Sequence, residues 1–176
     1  MRLLLTQDNV NADKPDNYGE TPLWGASSKE HEGVVRLQLA RDDVNPDKPA
    51  NHGRTPLQCA SCNGHEGIVR PLLARDDVNL DKPDKDGKTP LWATSFYSNE
   101  GVVKLLLARH NVNPNKPDNT GRTPLQCASS MGRERMVKLP LSQCAINPGQ
   151  PDSISTAPPP SASNNVHAEV ISPLIA

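Results

Sequence analysis

The chain has 176 residues, of which 35% are hydrophobic, 3% aromatic and 18 are prolines. A domain of this length around one central core carries more apolar residues, so the composition predicts either partial disorder or a thin, elongated fold whose units each bury a modest face. Nineteen basic residues against twenty acidic ones give a net charge of −1 with no block of one sign, which removes the charge footprint of a nucleic-acid binder, and no stretch approaches the roughly 18 apolar residues of a membrane span.

Taken in chain order, Met1 to Gln7 hold one Arg and three Leu, too short an apolar run for a secretory signal, and there is no Asn-x-Ser/Thr sequon. The default expectation is an intracellular, cytoplasmic protein whose four cysteines (Cys59, Cys62, Cys127, Cys144) are reduced thiols. The chain then counts in steps of 34. Thr-Pro-Leu begins at Thr21, Thr55, Thr89 and Thr123, each preceded at two residues by Gly19, Gly53, Gly87 or Gly121. Asn11, Asn45, Asn79, Asn113 and Asn147 keep the same step, as do Pro15, Pro49, Pro83, Pro117 and Pro151, and Glu32, Glu66, Glu100 and Glu134.

Each unit reads as turn, helix, short loop, helix, long loop. Glycine before Thr-Pro-Leu suits a turn position with positive φ. Thr is a good N-cap, and Pro at the first helical position has a preset φ and no N–H to leave unpaired. First helices are predicted over Pro22–Ser28, Pro56–Cys62, Pro90–Phe96 and Pro124–Ser130. Second helices start near Glu32, Glu66, Glu100 and Glu134, where a carboxylate meets the positive end of the helix dipole. The cleanest second helix has the apolar face Val102, Val103, Leu105, Leu106 and Leu107. The segment Val-Asn-Pro-x-Lys-Pro-Asp then breaks the helix and runs extended into the next turn.

Gly-x-Thr-Pro-Leu, then Ala-Ser, then Gly-His-Glu-Gly-Ile-Val (Gly64 to Val69), then Leu-Leu, resembles the ankyrin repeat over residues 2–152. The 34-residue step and the Val-Asn-Pro-Asp-Lys-Pro loop are similar to a variant frequent in fungal ankyrin proteins, against a usual repeat of about 33. The resemblance implies an all-α solenoid of helix–turn–helix units with hairpin-like turns. Its expected extent is 1–152: a partial repeat over 1–18, then four copies from about 19 to 152, the last degenerate. Residues 153–176, with Pro158 to Pro160 in a row, read as a disordered Ser/Pro-rich tail.

Departures from the family pattern carry their own expectations. Trp24, Gln58, Trp92 and Gln126 stand where the family has His after Thr-Pro-Leu, which predicts loss of the usual His hydrogen bonds between neighbours. Pro71 takes the place of Leu37, Leu105 and Leu139, and Pro140 lies inside the last second helix; an interior helix proline costs about 3 kcal/mol. Both sites are expected to be weak links in an array that passes stability between neighbours. Arg2 to Leu5 align with Arg36 to Leu39, so the chain opens in mid-helix, as a piece of a longer array would.

Cys59-x-x-Cys62-x-x-His65 has the outline of a metal or redox site, but no second Cys-x-x-Cys completes four ligands. Cys59 and Cys127 share one core slot, and His31 and His65 follow the repeat's own position before the second helix. Packing is the expected role of all of them. No nucleophile–base pairing and no phosphate-cradling glycine loop is present, so neither catalysis, a cofactor, a metal nor a small-molecule substrate is expected. The five aromatics, Tyr18, Trp24, Trp92, Phe96 and Tyr97, all lie in turns or first helices. In ankyrin proteins those elements line the concave surface that grips partners, and Trp and Tyr are enriched among binding hot spots. Trp24 and Trp92 are read as filling the gap between repeats, Phe96 and Tyr97 as binding residues. The expected function is protein recognition through Tyr18, Glu20, His52, Arg54, Asp86, Lys88, Thr120 and Arg122 at the turns together with Phe96 and Tyr97, with neither nucleic acid nor membrane as partner. The slightly basic turn stripe points to an acidic or polar segment. The alternative is a regulatory or structural part of a larger receptor or enzyme that packs on the other domains of that protein.

Overall fold

The computed structural model describes residues 11–141, with side chains through Lys138. Among the described residues eight helices follow one another: α1 (Pro22–Ser28), α2 (Glu32–Leu39), α3 (Pro56–Asn63), α4 (Glu66–Leu73), α5 (Pro90–Tyr97), α6 (Glu100–Leu107), α7 (Pro124–Ser130) and α8 (Glu134–Leu141). Among the described residues there is no strand. Odd-numbered helices pack on one another in one row, even-numbered helices in a second, and each pair closes on itself, which makes a solenoid of helix–turn–helix layers. The opening segment Arg2–Leu5, Cys144 and the 153–176 tail lie outside the described residues.

Local chemistry sets the helix starts. Thr21, Thr55, Thr89 and Thr123 are extended N-caps whose hydroxyls accept the N–H of Trp24, Gln58, Trp92 and Gln126, each at 3.1–3.2 Å, with Pro at the first helical position. Removing such a cap typically costs about 1 kcal/mol. The loop between the paired helices needs one left-handed residue, and the repeat supplies it at a single register. Gly64 and Gly132 sit there at φ 76° and 66°, while Glu30 and Ser98 take φ 58° and 65° without glycine's freedom.

Leu23, Val35, Leu57, Ile68, Val69, Leu72, Leu91, Val102, Val103, Leu106, Leu125, Met136 and Val137 form one continuous buried cluster through the stack. Each such side chain contributes about 1.5–3 kcal/mol by burial, so no layer is stable by itself and each needs its neighbours. In α6 the buried face is Val102, Val103 and Leu106, with Leu105 and Leu107 half-buried at its border. Pro71 therefore corrects one expectation: it occupies a half-buried slot and not a core one, and α4 runs through it to Leu73. Its cost lies in the backbone, where the Gly67 carbonyl loses its i+4 donor. The backbone of Pro140 likewise lies within α8.

The long loops bind one layer to the next through a polar ladder. The Oδ1 atoms of Asn11, Asn45, Asn79 and Asn113 accept the N–H two residues on, at 2.9–3.0 Å. The turn so made aims Asp13, Asp47 and Asp81 at the following layer, where their Oδ2 atoms accept the N–H of Asn45, Asn79 and Asn113 at 2.7–2.8 Å. Lys48, Lys82 and Lys116 close each rung by donating from Nζ to the carbonyls of Asp13, Asp47 and Asp81 at 2.8 Å. Burial pushes the Asp47 and Asp81 carboxyls up, against the opposing pull of those N–H donors.

Candidate functional site

Three of the four turns that precede the odd helices are built on a carboxylate, which is buried in the third and fourth. Asp84 Oδ1 accepts the N–H groups of Asp86 and Lys88 at 3.0 Å, and Asp118 Oδ1 those of Thr120 and Arg122 at 2.9 and 3.0 Å, with the Thr120 hydroxyl at 2.7 Å. Asp16 serves Tyr18 and Glu20 in the same way. The second turn has Ala50 at this position, and there the ring of His52 accepts the Arg54 N–H at 3.2 Å. Adjacent turns then join edge to edge: Asn51 donates its N–H to the Tyr18 carbonyl at 2.8 Å, and Asn119 to that of Asp86 at 2.9 Å. Gly53 is required by this approach, since a Cβ there would stand 2.7 Å from the Lys85 nitrogen at φ 87°.

The residues after Thr-Pro-Leu restore the connection that the missing His would have made. Trp24 Nε1 donates to the Arg54 carbonyl at 3.0 Å, Gln58 Nε2 to that of Lys88 at 2.6 Å, and Trp92 Nε1 to that of Arg122 at 3.1 Å. The expected loss of an inter-repeat network is thus corrected: indole and amide donors replace imidazole over the same span of 30 residues. The Oε1 of Gln126 accepts the Thr123 N–H at 2.9 Å and completes a capping box.

On this framework four side chains of the third layer stack in order. The Lys88 ammonium lies 5.0 Å from the centroid of the Trp92 ring, Phe96 stacks on Trp92 at 5.7 Å and 10°, and Tyr97 meets Phe96 edge-on at 5.1 Å and 83°. Tyr97 is 50% exposed, whereas Phe96 is half-buried, so of the predicted pair only Tyr97 stands out into solvent. Trp24 and Trp92 are buried between layers, in keeping with their reading as fillers, but Trp92 also walls a cleft. At the first turn Tyr18 is 72% exposed, and His52 of the second tilts over Trp24 at 5.5 Å.

An open cleft of about 400 Å³ lies between the third and fourth turns, lined by Asp86, Lys88, Trp92, Asp118, Asn119, Thr120 and Arg122. Four predicted residues, Asp86, Lys88, Thr120 and Arg122, thus share one hollow. Lys88 donates to Asp86 at 2.9 Å, and that bond holds the carboxyl below and the ammonium above their ordinary values. Arg54 approaches Asp84 at 3.5 Å; burial alone would lower its guanidinium, but Cys62, Asp84 and Tyr97 around it raise it. Tyr18, Glu20 and His52 sit on the first two turns and do not join this group. Sequence reasoning missed Asp118 and Asn119 as cleft walls, although the position of Asp118 in the 34-residue register of Asp84 and the neighbouring turn tips could have found it.

The Cys59–Cys62–His65 outline is taken apart by the fold. His65 Nε2 donates to the Ser28 carbonyl at 3.1 Å, with Nδ1 3.5 Å from Glu30. Cys59 is buried, and burial pushes the Cys62 thiol up to about 11, as it does Cys127. These thiols are protonated at neutral pH, which makes them poor nucleophiles. Among the described residues no three His, Cys, Asp or Glu side chains are grouped to hold a metal, and no helix is long and apolar enough to cross a membrane.

A family model for ankyrin repeats (3 copies) matches residues 1–84 and again 74–152. A search of curated proteins returns no match. Ankyrin repeats are in general protein–protein interaction modules and typically non-catalytic. With the family pattern matched along most of the sequence and the helix–turn–helix layers present in the structure, the chain belongs to the ankyrin-repeat family.

Proposed function

We propose that the chain binds a partner protein through its turn and first-helix face, the face that is concave in the solenoids of this family. The observation that carries the reading is the stack Lys88–Trp92–Phe96–Tyr97 beside the cleft between the third and fourth turns. Packing does not demand the outer pair: the aligned positions hold Ser28-Lys29, Cys62-Asn63 and Ser130-Met131. Half-exposed aromatic surface backed by rigid stacking loses little side-chain entropy on binding, which suits a hot spot. Tyr18, Glu20, His52, Arg54, Asp86, Lys88, Thr120 and Arg122 extend the surface along the turns. A non-catalytic reading is supported among the described residues by Cys62, whose thiol burial keeps protonated, and by His65, which donates to a backbone carbonyl.

The test is a partner captured by proximity labelling and then measured against variants. Phe96→Ser with Tyr97→Ser is expected to weaken binding by at least about 2 kcal/mol with helical content retained by circular dichroism. Cys59→Ser with Cys62→Ser is expected to cost stability but little affinity. Unchanged affinity in the aromatic variant, or loss of affinity together with bound zinc in the cysteine variant, would overturn the reading.

A further inference from the structure

The charges that line the third and fourth turns are not presented equally to solvent. Asp84 and Asp118 are 9% and 8% exposed and spend their Oδ1 atoms on the N–H groups of their own turns. Asp86, the carboxylate that does face outward, is bridged by Lys88. Lys85 and Arg122 are exposed and make no ion pair among the described residues. The rim of the cleft therefore presents a surplus of positive charge although the local sequence is nearly balanced. Along the stack, the residue before each Thr-Pro-Leu is Glu20, Arg54, Lys88 and Arg122, so the row is acidic at the first layer and basic at the other three.

An apolar patch lies at the other end of the first helices, in the same two layers. Tyr97 is 50% exposed, and Met131, in the same register one repeat on, is 43% exposed. The first and second layers carry Lys29 and Asn63 at this register. Phe96 and Trp92 support Tyr97 from beneath. Basic rim and apolar patch thus occur together on the third and fourth layers, which contain Lys85, Tyr97, Arg122 and Met131.

From this juxtaposition we infer that the occupant of the face is an acidic protein segment bearing one aromatic or branched apolar side chain, which seats on Tyr97 and Met131 while its carboxylates meet Arg122 and Lys85. The inference rests on the proposed binding face and adds the chemistry of what it binds. Charge complementarity of this kind sets specificity and association rate, and the apolar anchor supplies the burial. The buried turn carboxylates also act against a basic segment: they cannot swing out to meet a cation without unmaking the turn.

The test pans the full chain against a phage-displayed library of random peptides and measures enriched sequences, labelled with fluorescein, by fluorescence anisotropy. Enriched peptides are expected to combine several Asp or Glu residues with an aromatic, Leu or Ile. Arg122→Glu is expected to weaken them about tenfold or more, Tyr97→Ser by a similar factor, and added salt should weaken them further. Enriched peptides that respond to Tyr97→Ser but carry no acidic signature, or are indifferent to Arg122→Glu, overturn this chemistry and leave the binding face standing. Peptides indifferent to both variants, or no enrichment from chain that is folded by circular dichroism, overturn the face as well. An oligothymidine single strand that binds more tightly than the best peptide overturns the protein occupant.

Discussion

The loop edge and the turn face of this molecule repeat in different ways. At the loop edge three successive junctions carry the same two bonds, from Asn N–H to Asp Oδ2 and from Lys Nζ to an Asp carbonyl, with lengths that agree within 0.1 Å. At the turn face the same registers are filled by Tyr18, His52, Asp86 and Thr120 at the tips, and by Lys29, Asn63, Tyr97 and Met131 at the helix ends. The reason is physical. Backbone N–H and C=O groups are the same in every layer, so a loop that satisfies them arrives at one solution and repeats it. A side chain that meets solvent is under no such demand. The uniform edge thus adds the same bonds to every junction of the apolar stack, and the varied face is the one proposed above for recognition.

Departures from the repeat at the stacking side should therefore cost stability, and restoring the repeat's residue should return it. The largest effect is expected at Pro71. Pro71→Leu gives the Gly67 carbonyl its donor and is expected to raise stability by up to about 3 kcal/mol, seen as a higher urea midpoint at unchanged slope. Because this slot is half-buried, the gain is one of backbone and not of core volume; Pro71→Ala should recover most of it. An unchanged midpoint would mean that water already satisfies that carbonyl.

Breaking the edge directly is the next effect in size. Asp47→Ala removes the acceptor for the Asn79 N–H and is expected to cost about 1–2 kcal/mol, with faster amide exchange at Asn79. A cost confined to within about 0.5 kcal/mol, the ordinary range of surface substitutions, would show the ladder to be ornament on a stack held by its apolar core.

A smaller gain is expected from Asn111→Asp. Arg41 and Arg75 each clasp an aspartate two residues on, Asp43 and Asp77, with paired bonds of 2.6–2.8 Å. Arg109 has Asn111 at that position, and its buried Nε has no partner. Restoring the carboxylate is expected to add about 0.5 kcal/mol, the worth of a largely exposed pair, and the gain should fade at high salt. Least of all, Tyr97→Ser on the turn face is expected to leave the urea midpoint within about 0.5 kcal/mol. A larger loss would erase the distinction between edge and face and make Tyr97 part of the packing.

Much of the fold is legible in the amino-acid sequence. The first helices start at the predicted prolines, and the second helices at the predicted glutamates, because caps, proline and the dipole act within one turn of chain. The ends are less sharp: α3 and α5 each run one residue past the predicted Cys62 and Phe96. Phe96 and Tyr97 stand out as aromatics where other layers have none, but which of the two is covered depends on Trp92, which lies beside Phe96 only once α5 is formed.

By itself the sequence determined the period, the all-helical unit, the helix starts and the family, since each follows from residues within one 34-residue step. Only the tertiary structure decided which donors replace the absent His, which carboxylates turn inward, and which aromatic rings stay exposed. Trp24 and Gln58 reach carbonyls 30 residues on, and Asp13 and Asp47 reach amides 32 residues on. A partner at that distance becomes near only when one layer is laid on the next, and a periodic sequence states that layers stack without stating which atoms the stacking brings into reach.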